Sequence, residues 1–92
     1  AADEMWMSPH YQRASVGFHF TWLAGNNDDV VQTVQRALEP FAPRPHWGKF
    51  FDARFFDPST AYEMFDDFVE MTIRLDPHGV FQNSWWRRVI GS

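Results

Sequence analysis

The sequence predicts an α+β fold, in which an antiparallel sheet is flanked by helices. Apolar residues alternate with polar ones from Ala14 to Trp22, which is the pattern of a half-buried strand. Helical spacing of apolar residues predicts two helices, one near Asp28 to Leu38 and one near Ala61 to Leu75. With 92 residues, the chain forms one small domain at most.

The predicted strand carries a histidine on its less apolar face. Its apolar positions are Val16, Phe18, Phe20 and Trp22. Side chains point alternately to the two faces of a strand, so His19 and Thr21 share the opposite face. His19 would then look out from the sheet, either into a cleft or simply into solvent as a half-exposed histidine.

Both predicted helices have recognisable beginnings. Asn27 can cap the first helix, and the acids that follow suit the positive end of its dipole. Its apolar stripe is Val30, Val34, Ala37, Leu38 and Phe41. Pro40 ends this helix because proline lacks the backbone N–H. Asp57 offers a cap before the second helix, with Pro58 in its first turn.

Residues 44–49, Arg-Pro-His-Trp-Gly-Lys, form what we call the ligand segment. A cation, an imidazole and an indole stand close together between prolines and a glycine, which predicts a rigid loop rather than a helix or strand. His46, Trp47 and Lys49 are therefore candidate substrate-binding residues. The alternative is a surface turn in which Trp47 packs locally.

Composition excludes several classes of function. The net charge of −4 without a basic run argues against nucleic acid, and no apolar run approaches the ~20 residues that span a membrane. The chain has no cysteine, and its four histidines lack the spacing of a zinc site, so no metal is expected. We expect a cytoplasmic protein.

Apolar surface is unusually abundant for so short a chain. Ten phenylalanines and five tryptophans are more than a small core can readily enclose. Some of this surface is therefore expected to face a partner, and a homo-oligomer is one possibility.

Several stretches together resemble a family of flavin-dependent oxidases. They are residues 1–9, the predicted strand at 16–22, residues 38–41 with the ligand segment, and residues 75–83 with the pattern Asp-Pro-x-Gly-x-Phe-x-Asn. In order and over almost the whole chain, they are similar to the C-terminal part of the alditol (xylitol) oxidases and D-arabinono-1,4-lactone oxidases. These enzymes are flavoproteins of the vanillyl-alcohol-oxidase type.

The resemblance implies that residues 1–92 are the C-terminal, substrate-side piece of such an oxidase, from which the FAD-binding domain is absent. The whole enzyme would oxidise a sugar alcohol or aldonolactone with O2, giving H2O2, whereas this piece alone would be inactive. By the same resemblance, His19 assists deprotonation of the reacting hydroxyl. Lys49 hydrogen-bonds the polyol close to the flavin, and so contacts both substrate and cofactor.

Two other hypotheses stay open from the residues alone. The chain could be a stand-alone α+β interaction module that docks through Trp47, Trp85 and Trp86. It could also be a carbohydrate-binding remnant, in which Trp47 stacks on a sugar while His46 and Lys49 bond its hydroxyls.

The chain also departs from the family pattern where Tyr62 is followed by Glu63 instead of proline.

Overall fold

A computed structural model describes residues 1–20, 25 and 27–91. In this part of the chain, α1 spans Asp28–Leu38, α2 spans Pro58–Ala61, α3 spans Phe65–Leu75 and α4 spans Ser84–Val89. Single 3-10 turns at Glu39–Phe41 and Ala53–Phe55 join them. No helix in these ranges is long and apolar enough to cross a bilayer.

The predicted antiparallel sheet is wrong. The described residues contain no strand, and their only β-pairing is an isolated parallel bridge between Asp3 and Tyr11. Residues 14–20 have no regular secondary structure, and Val16 and Phe18 are 81% and 67% exposed. The last two residues of the predicted strand, Thr21 and Trp22, lie outside the described residues.

The physical reason is that alternation reports which side chains could share a face, whereas a strand exists only by pairing its backbone. Every N–H and C=O of a strand needs a partner on a neighbouring strand, and a lone extended segment has none. The described residues supply no second strand beside residues 14–20. The α+β prediction therefore gives way to a set of short helices and long connections.

The prediction of α1 is confirmed. The helix begins at Asp28, with Asn27 in the N-cap position and two acids in its first turn, and ends at Leu38. Its inward face differs from the predicted stripe, because Val31 is buried at 6% exposure whereas Val30 is 48% exposed. Gln35 lies one turn after Val31 and turns to the same side to bond with Asp52.

The predicted second helix is divided in two. Asp57 caps α2 as expected, accepting the Ser59 N–H at 3.0 Å, and Pro58 takes the first helical position. At Tyr62 the backbone becomes extended, with φ −123° and ψ 119°. The long helix α3 begins only at Phe65.

The N-terminal loop, residues 3–13, is closed by Asp3. Its backbone N–H donates to His10 O at 3.0 Å and its carbonyl accepts the Gln12 N–H at 2.8 Å, while its carboxylate accepts the Ser8 hydroxyl at 2.6 Å. Arg13 then ties this loop to the segment after α1, donating to Ala42 O at 2.7 Å.

The elements do not enclose a large core. The radius of gyration is 14.5 Å, against about 12 Å for a compact domain of this length. The buried apolar side chains of the described residues are Tyr11, Val31, Pro58, Tyr62 and Val89. Large apolar side chains at the opposite extreme include Phe81 at 87%, Phe41 at 75% and Val80 at 74% exposure. Much of the predicted surplus of apolar surface is thus in solvent.

Candidate functional site

The ligand segment ends in a tight turn that carries its three candidate residues, His46, Trp47 and Lys49. The Lys49 N–H donates to His46 O at 3.0 Å, which closes a four-residue turn. The Gly48 N–H donates to Nδ1 of His46 at 3.1 Å. Because Nδ1 accepts this bond, the hydrogen of the neutral ring is on Nε2, and that nitrogen remains for a ligand. His46 and Lys49 are therefore presented by one small rigid unit.

Lys49 and His19 are both exposed. Within the described part of the chain, the Lys49 ammonium has no ion-pair or hydrogen-bond partner, and neither has the imidazole of His19. No hydrogen bond joins His19 to the turn of the ligand segment among these residues. The structure thus brings His46, Trp47 and Lys49 together, and leaves His19 on the separate segment 14–20.

Trp47 faces the interior of the chain. Its indole N–H donates to the Tyr62 hydroxyl at 3.2 Å, and its ring meets the Tyr62 ring edge-on at a centroid distance of 6.0 Å. Trp85 of α4 also packs against Trp47, with ring centroids 5.3 Å apart. The adjacent Trp86 packs on Phe68 of α3 at 5.8 Å. The aromatic tail therefore docks on its own chain, and part of the Trp47 ring is engaged by it.

Arg44 anchors the first residue of the ligand segment. Its Nε donates to Ala61 O at 2.8 Å and its NH1 donates to Tyr11 O at 3.0 Å. The guanidinium carbon lies 5.1 Å from the centroid of the Tyr62 ring, in cation–π geometry. Burial, followed by the charge of Arg13, lowers the pKa of Arg44, but a guanidinium remains charged near neutral pH. One side chain thus joins the N-terminal loop, α2 and the ligand segment.

Tyr62 is the residue on which these contacts converge. It is 1% exposed and is the largest fully buried side chain of the described residues. Burial raises the pKa of its phenol, while the Trp47 hydrogen bond and the Arg44 charge partly oppose this. The hydroxyl is therefore neutral and serves as an acceptor. Sequence reasoning did not identify Tyr62 as a site residue; the available signal was a tyrosine inside a predicted helix, because a buried phenol requires a polar partner.

Beyond the ligand segment, Asp52 fixes the chain against α1. Its backbone N–H donates to Oε1 of Gln35 at 2.7 Å, and its carbonyl accepts from Nε2 of Gln35 at 3.1 Å. Its carboxylate accepts from the Arg54 guanidinium at 2.7 Å and 3.0 Å. It also accepts the Arg54 backbone N–H at 3.0 Å, which caps the 3-10 turn Ala53–Phe55. The ligand segment is thus held at both ends, by Arg44 before it and by Asp52 after it.

The stability of this chain is expected to fall in acid partly because of Asp52. The hydrogen bond from Arg54 lowers the pKa of its carboxyl from 3.8 to about 2. Since the folded-state pKa lies below the unfolded one, the ionised carboxylate stabilises the fold above about pH 4, and this contribution is lost between about pH 4 and pH 2. Asp52→Asn should make the free energy of unfolding depend less on pH in this range. The measurement is the urea midpoint, followed by circular dichroism, at several pH values between about 4 and 2.

Arg54→Gln is the matched control for that experiment. It keeps the Asp52 carboxylate but removes the guanidinium that contributes most to lowering its pKa, so it should also flatten the acid decline, though less than Asp52→Asn, because the backbone N–H at position 54 and Gln32 still bond the carboxylate. If Arg54→Gln keeps the pH slope of the unmodified chain, the attribution to this ion pair is wrong.

The remaining concave surfaces lie away from the ligand segment. One shallow apolar groove is lined by Trp6, Met7, Phe68 and Met71. Another is lined by Thr72, Leu75, Asp76, Phe81, Gln82 and Trp86. Within the described ranges there is no group of three or more His, Asp or Glu side chains placed to hold a metal ion.

The Asp-Pro-x-Gly-x-Phe-x-Asn pattern forms the turn between α3 and α4, and three of its residues give that turn its shape. The Asp76 carboxylate accepts the N–H groups of Val80 and Phe81 at 2.8 Å and 3.0 Å. Gly79 has φ +66°, a left-handed conformation that favours glycine. Asn83 caps α4 by accepting the Trp86 N–H at 2.8 Å. The pattern is a turn that delivers the two tryptophans of α4 to Trp47 and Phe68.

The family model for D-arabinono-1,4-lactone oxidase matches residues 1–89. The chain belongs to the D-arabinono-1,4-lactone oxidase family. This confirms the resemblance drawn from the motifs, and the matched range contains both the ligand segment and the turn at Asp76. The family relationship is therefore a property of nearly the whole chain.

Individual relatives of this family member are oxidases and dehydrogenases of sugar alcohols and sugar lactones. An alditol oxidase from a Streptomyces species is 37% identical over 98% of the chain. An L-gulono-1,4-lactone dehydrogenase from Mycobacterium tuberculosis is 32% identical over 99% of it, and L-gulonolactone oxidase from Mus musculus is 28% identical over 95%. The chain spans only about a fifth of the length of these relatives, 22%, 22% and 21% respectively. No solved structure matches it significantly.

Proposed function

We propose that this chain is the C-terminal, substrate-side part of an FAD-dependent oxidase that acts on a sugar alcohol or aldonolactone. Xylitol-like polyols are the expected substrates, and O2 the electron acceptor, with H2O2 as product. The observation that carries the proposal is the family match over residues 1–89, which includes a rigid turn presenting the unpaired ammonium of Lys49. The chain alone is expected to be inactive.

Two exposed side chains would act on the substrate. The imidazole of His19 takes the proton of the reacting hydroxyl, a role that suits its basicity near neutral pH. The ammonium of Lys49 donates hydrogen bonds to the polyol and stabilises the oxygen as negative charge develops on it. Nε2 of His46 is a second donor on the same turn. The flavin, when bound, would accept the hydride and pass the electrons to O2.

The residues present fit one edge of a flavin rather than the whole cofactor. Lys49 is an exposed cation on a fixed turn, which suits contact with the negative charge of a reduced flavin. In contrast, Gly17, Gly25 and Gly48 are scattered and do not form a glycine-rich phosphate loop. We therefore assign most FAD contacts to another domain of the complete protein.

The exposed apolar surface supports a partner of that kind. Phe81 and Leu75 line an open groove beside α4 and are 87% and 71% exposed. Exposure of several large apolar side chains in one place is characteristic of surfaces that are covered in an assembly. We assign this surface to the FAD-binding domain of the same polypeptide, with a second copy of the chain as the other candidate occupant.

The direct test uses the complete natural gene product that contains these residues. We expect it to carry flavin absorbance bands, to consume O2 and to form H2O2 with xylitol or L-gulono-1,4-lactone. The 92-residue chain, mixed with free FAD, should do none of these. A gene product without flavin that turns over neither compound would contradict the proposal. It would favour the alternative of a non-catalytic interaction module, whose apolar surface binds another protein.

A further inference from the structure

Two residues of the ligand segment are held by the same buried phenol. Trp47 donates to the Tyr62 hydroxyl at 3.2 Å, and Arg44 lies over the Tyr62 ring at 5.1 Å. Tyr62 precedes α3, and Arg44 and Trp47 lie 18 and 15 positions before it along the chain. The ligand segment is therefore shaped by a long-range contact, and its own sequence does not fix where it lies.

Tyr62 is itself held on several sides. Its N–H donates to Pro58 O at 3.0 Å, which closes the short helix α2. The Phe56 ring meets its ring edge-on at 6.2 Å. The backbone carbonyl of the neighbouring Ala61 accepts a hydrogen bond from Nε of Arg44 at 2.8 Å. A side chain that is 1% exposed and contacted from these directions has little freedom to move, so its hydroxyl is a fixed point.

The Tyr62 hydroxyl is connected to Lys49 through Trp47 and the turn at residues 46–49. Trp47 is the second residue of the turn that the Lys49 N–H closes on His46 O at 3.0 Å. Trp85 also packs against the indole, with ring centroids 5.3 Å apart, so this contact and the Tyr62 bond together fix the position of Trp47. If that bond were lost, the indole would be free to shift, and the turn that carries Lys49, two residues on, would shift with it.

We propose that Tyr62 is a positioning residue, whose hydroxyl sets the location of Lys49 through Trp47 and thereby tunes binding of the polyol or lactone. Tyr62 does not touch the substrate, because it is buried beneath the turn. This inference rests on the proposed function, since it requires that Lys49 bind the substrate. It adds that a buried tyrosine distant in sequence controls that binding.

The test is a double-mutant cycle between Tyr62→Phe and Lys49→Ala in the complete gene product, with xylitol or L-gulono-1,4-lactone as substrate. Loss of one neutral hydrogen bond should raise KM by ~3- to 10-fold and change kcat less, if Tyr62 acts through Lys49. In the Lys49→Ala background, Tyr62→Phe should change kcat/KM by less than about twofold, because the group it positions is gone.

Trp47→Phe tests the same hydrogen bond from its other end and should reproduce the rise in KM, which covers the case in which Tyr62→Phe does not fold. Tyr11→Phe is the matched control, because Tyr11 is the other buried tyrosine and its hydroxyl makes no bond to Trp47. It should leave KM unchanged. Flavin absorbance and melting temperature of each variant report whether the fold is retained.

The outcomes separate the two proposals. If Lys49→Ala lowers kcat/KM but Tyr62→Phe has no effect, or has the same effect with and without Lys49, the positioning role is wrong and the proposed function stands. If Lys49→Ala leaves kcat/KM unchanged, the proposed role of Lys49 fails and the positioning role fails with it. Full coupling of the two variants would establish the inference.

Discussion

Replacing His19 with alanine is expected to lower kcat of the complete gene product by ~10²- to 10⁴-fold, which is the usual contribution of a positioned general base. The physical reason is that hydride departs readily only from a carbon whose oxygen is losing its proton. The exposed imidazole of His19 has no hydrogen-bond partner among the described residues, so it is available for that proton. The measurement is steady-state O2 consumption with xylitol and with L-gulono-1,4-lactone.

His78→Ala is the matched control for His19→Ala. His78 is also exposed, but it lies in the turn after α3 and is not among the candidate site residues. It should keep the kcat of the unmodified enzyme. Flavin content, read from the visible absorbance, must be equal in all three proteins for the comparison to hold. If His19→Ala keeps more than half of kcat, the assignment of the base is wrong.

Local sequence rules predicted the helices where local chemistry decides them. α1 begins and ends where the acids, the cap position and Pro40 place its limits. The break at Tyr62 escaped prediction because residues 61–65 carry no glycine or proline to announce it. The break follows instead from tertiary structure, since Tyr62 gains burial and a bond to Trp47 by leaving helical geometry.

A sheet could not be predicted reliably from the alternation of one segment. The alternation of residues 16–20 is genuine, but strand formation depends on a neighbour, and neighbours are a property of the whole fold. The described residues provide none. The same limitation applies to the face of α1, where Gln35 turns inward only because the backbone of Asp52 satisfies its amide.

The sequence predicted which residues form the candidate site, but it did not predict the long-range contacts that hold them in place. His19, His46 and Lys49 are recognisable from residue type and motif. Trp47 was interpreted as a possible sugar-stacking residue, which remains a prediction for the part of its ring that stays accessible. Its contacts to Tyr62 and Trp85 join residues 15 or more positions apart, and no spacing rule relates such pairs.

The largest effect on stability is expected for Tyr62→Ala in the 92-residue chain. Removing a buried aromatic ring costs about 3–5 kcal/mol. Here it also leaves the Trp47 N–H without its acceptor and removes the ring contact of the Arg44 guanidinium, which keeps its bonds to backbone carbonyls. Few other side chains are buried in the described residues, so a loss of this size is comparable with the whole free energy of unfolding of a small domain. Urea denaturation followed by tryptophan fluorescence should show no cooperative transition.

Two variants separate the contribution of the Tyr62 ring from the general cost of losing an aromatic residue. Tyr62→Phe keeps the ring and should cost only about 1 kcal/mol, because one hydrogen bond is lost. Phe81→Ala removes an aromatic side chain that is 87% exposed, so in the isolated chain it should change the free energy of unfolding by less than about 0.5 kcal/mol. In the complete gene product the same Phe81→Ala variant should destabilise measurably if the FAD-binding domain covers that surface. A cooperative transition in Tyr62→Ala near that of the unmodified chain would show that Tyr62 does not hold these segments together.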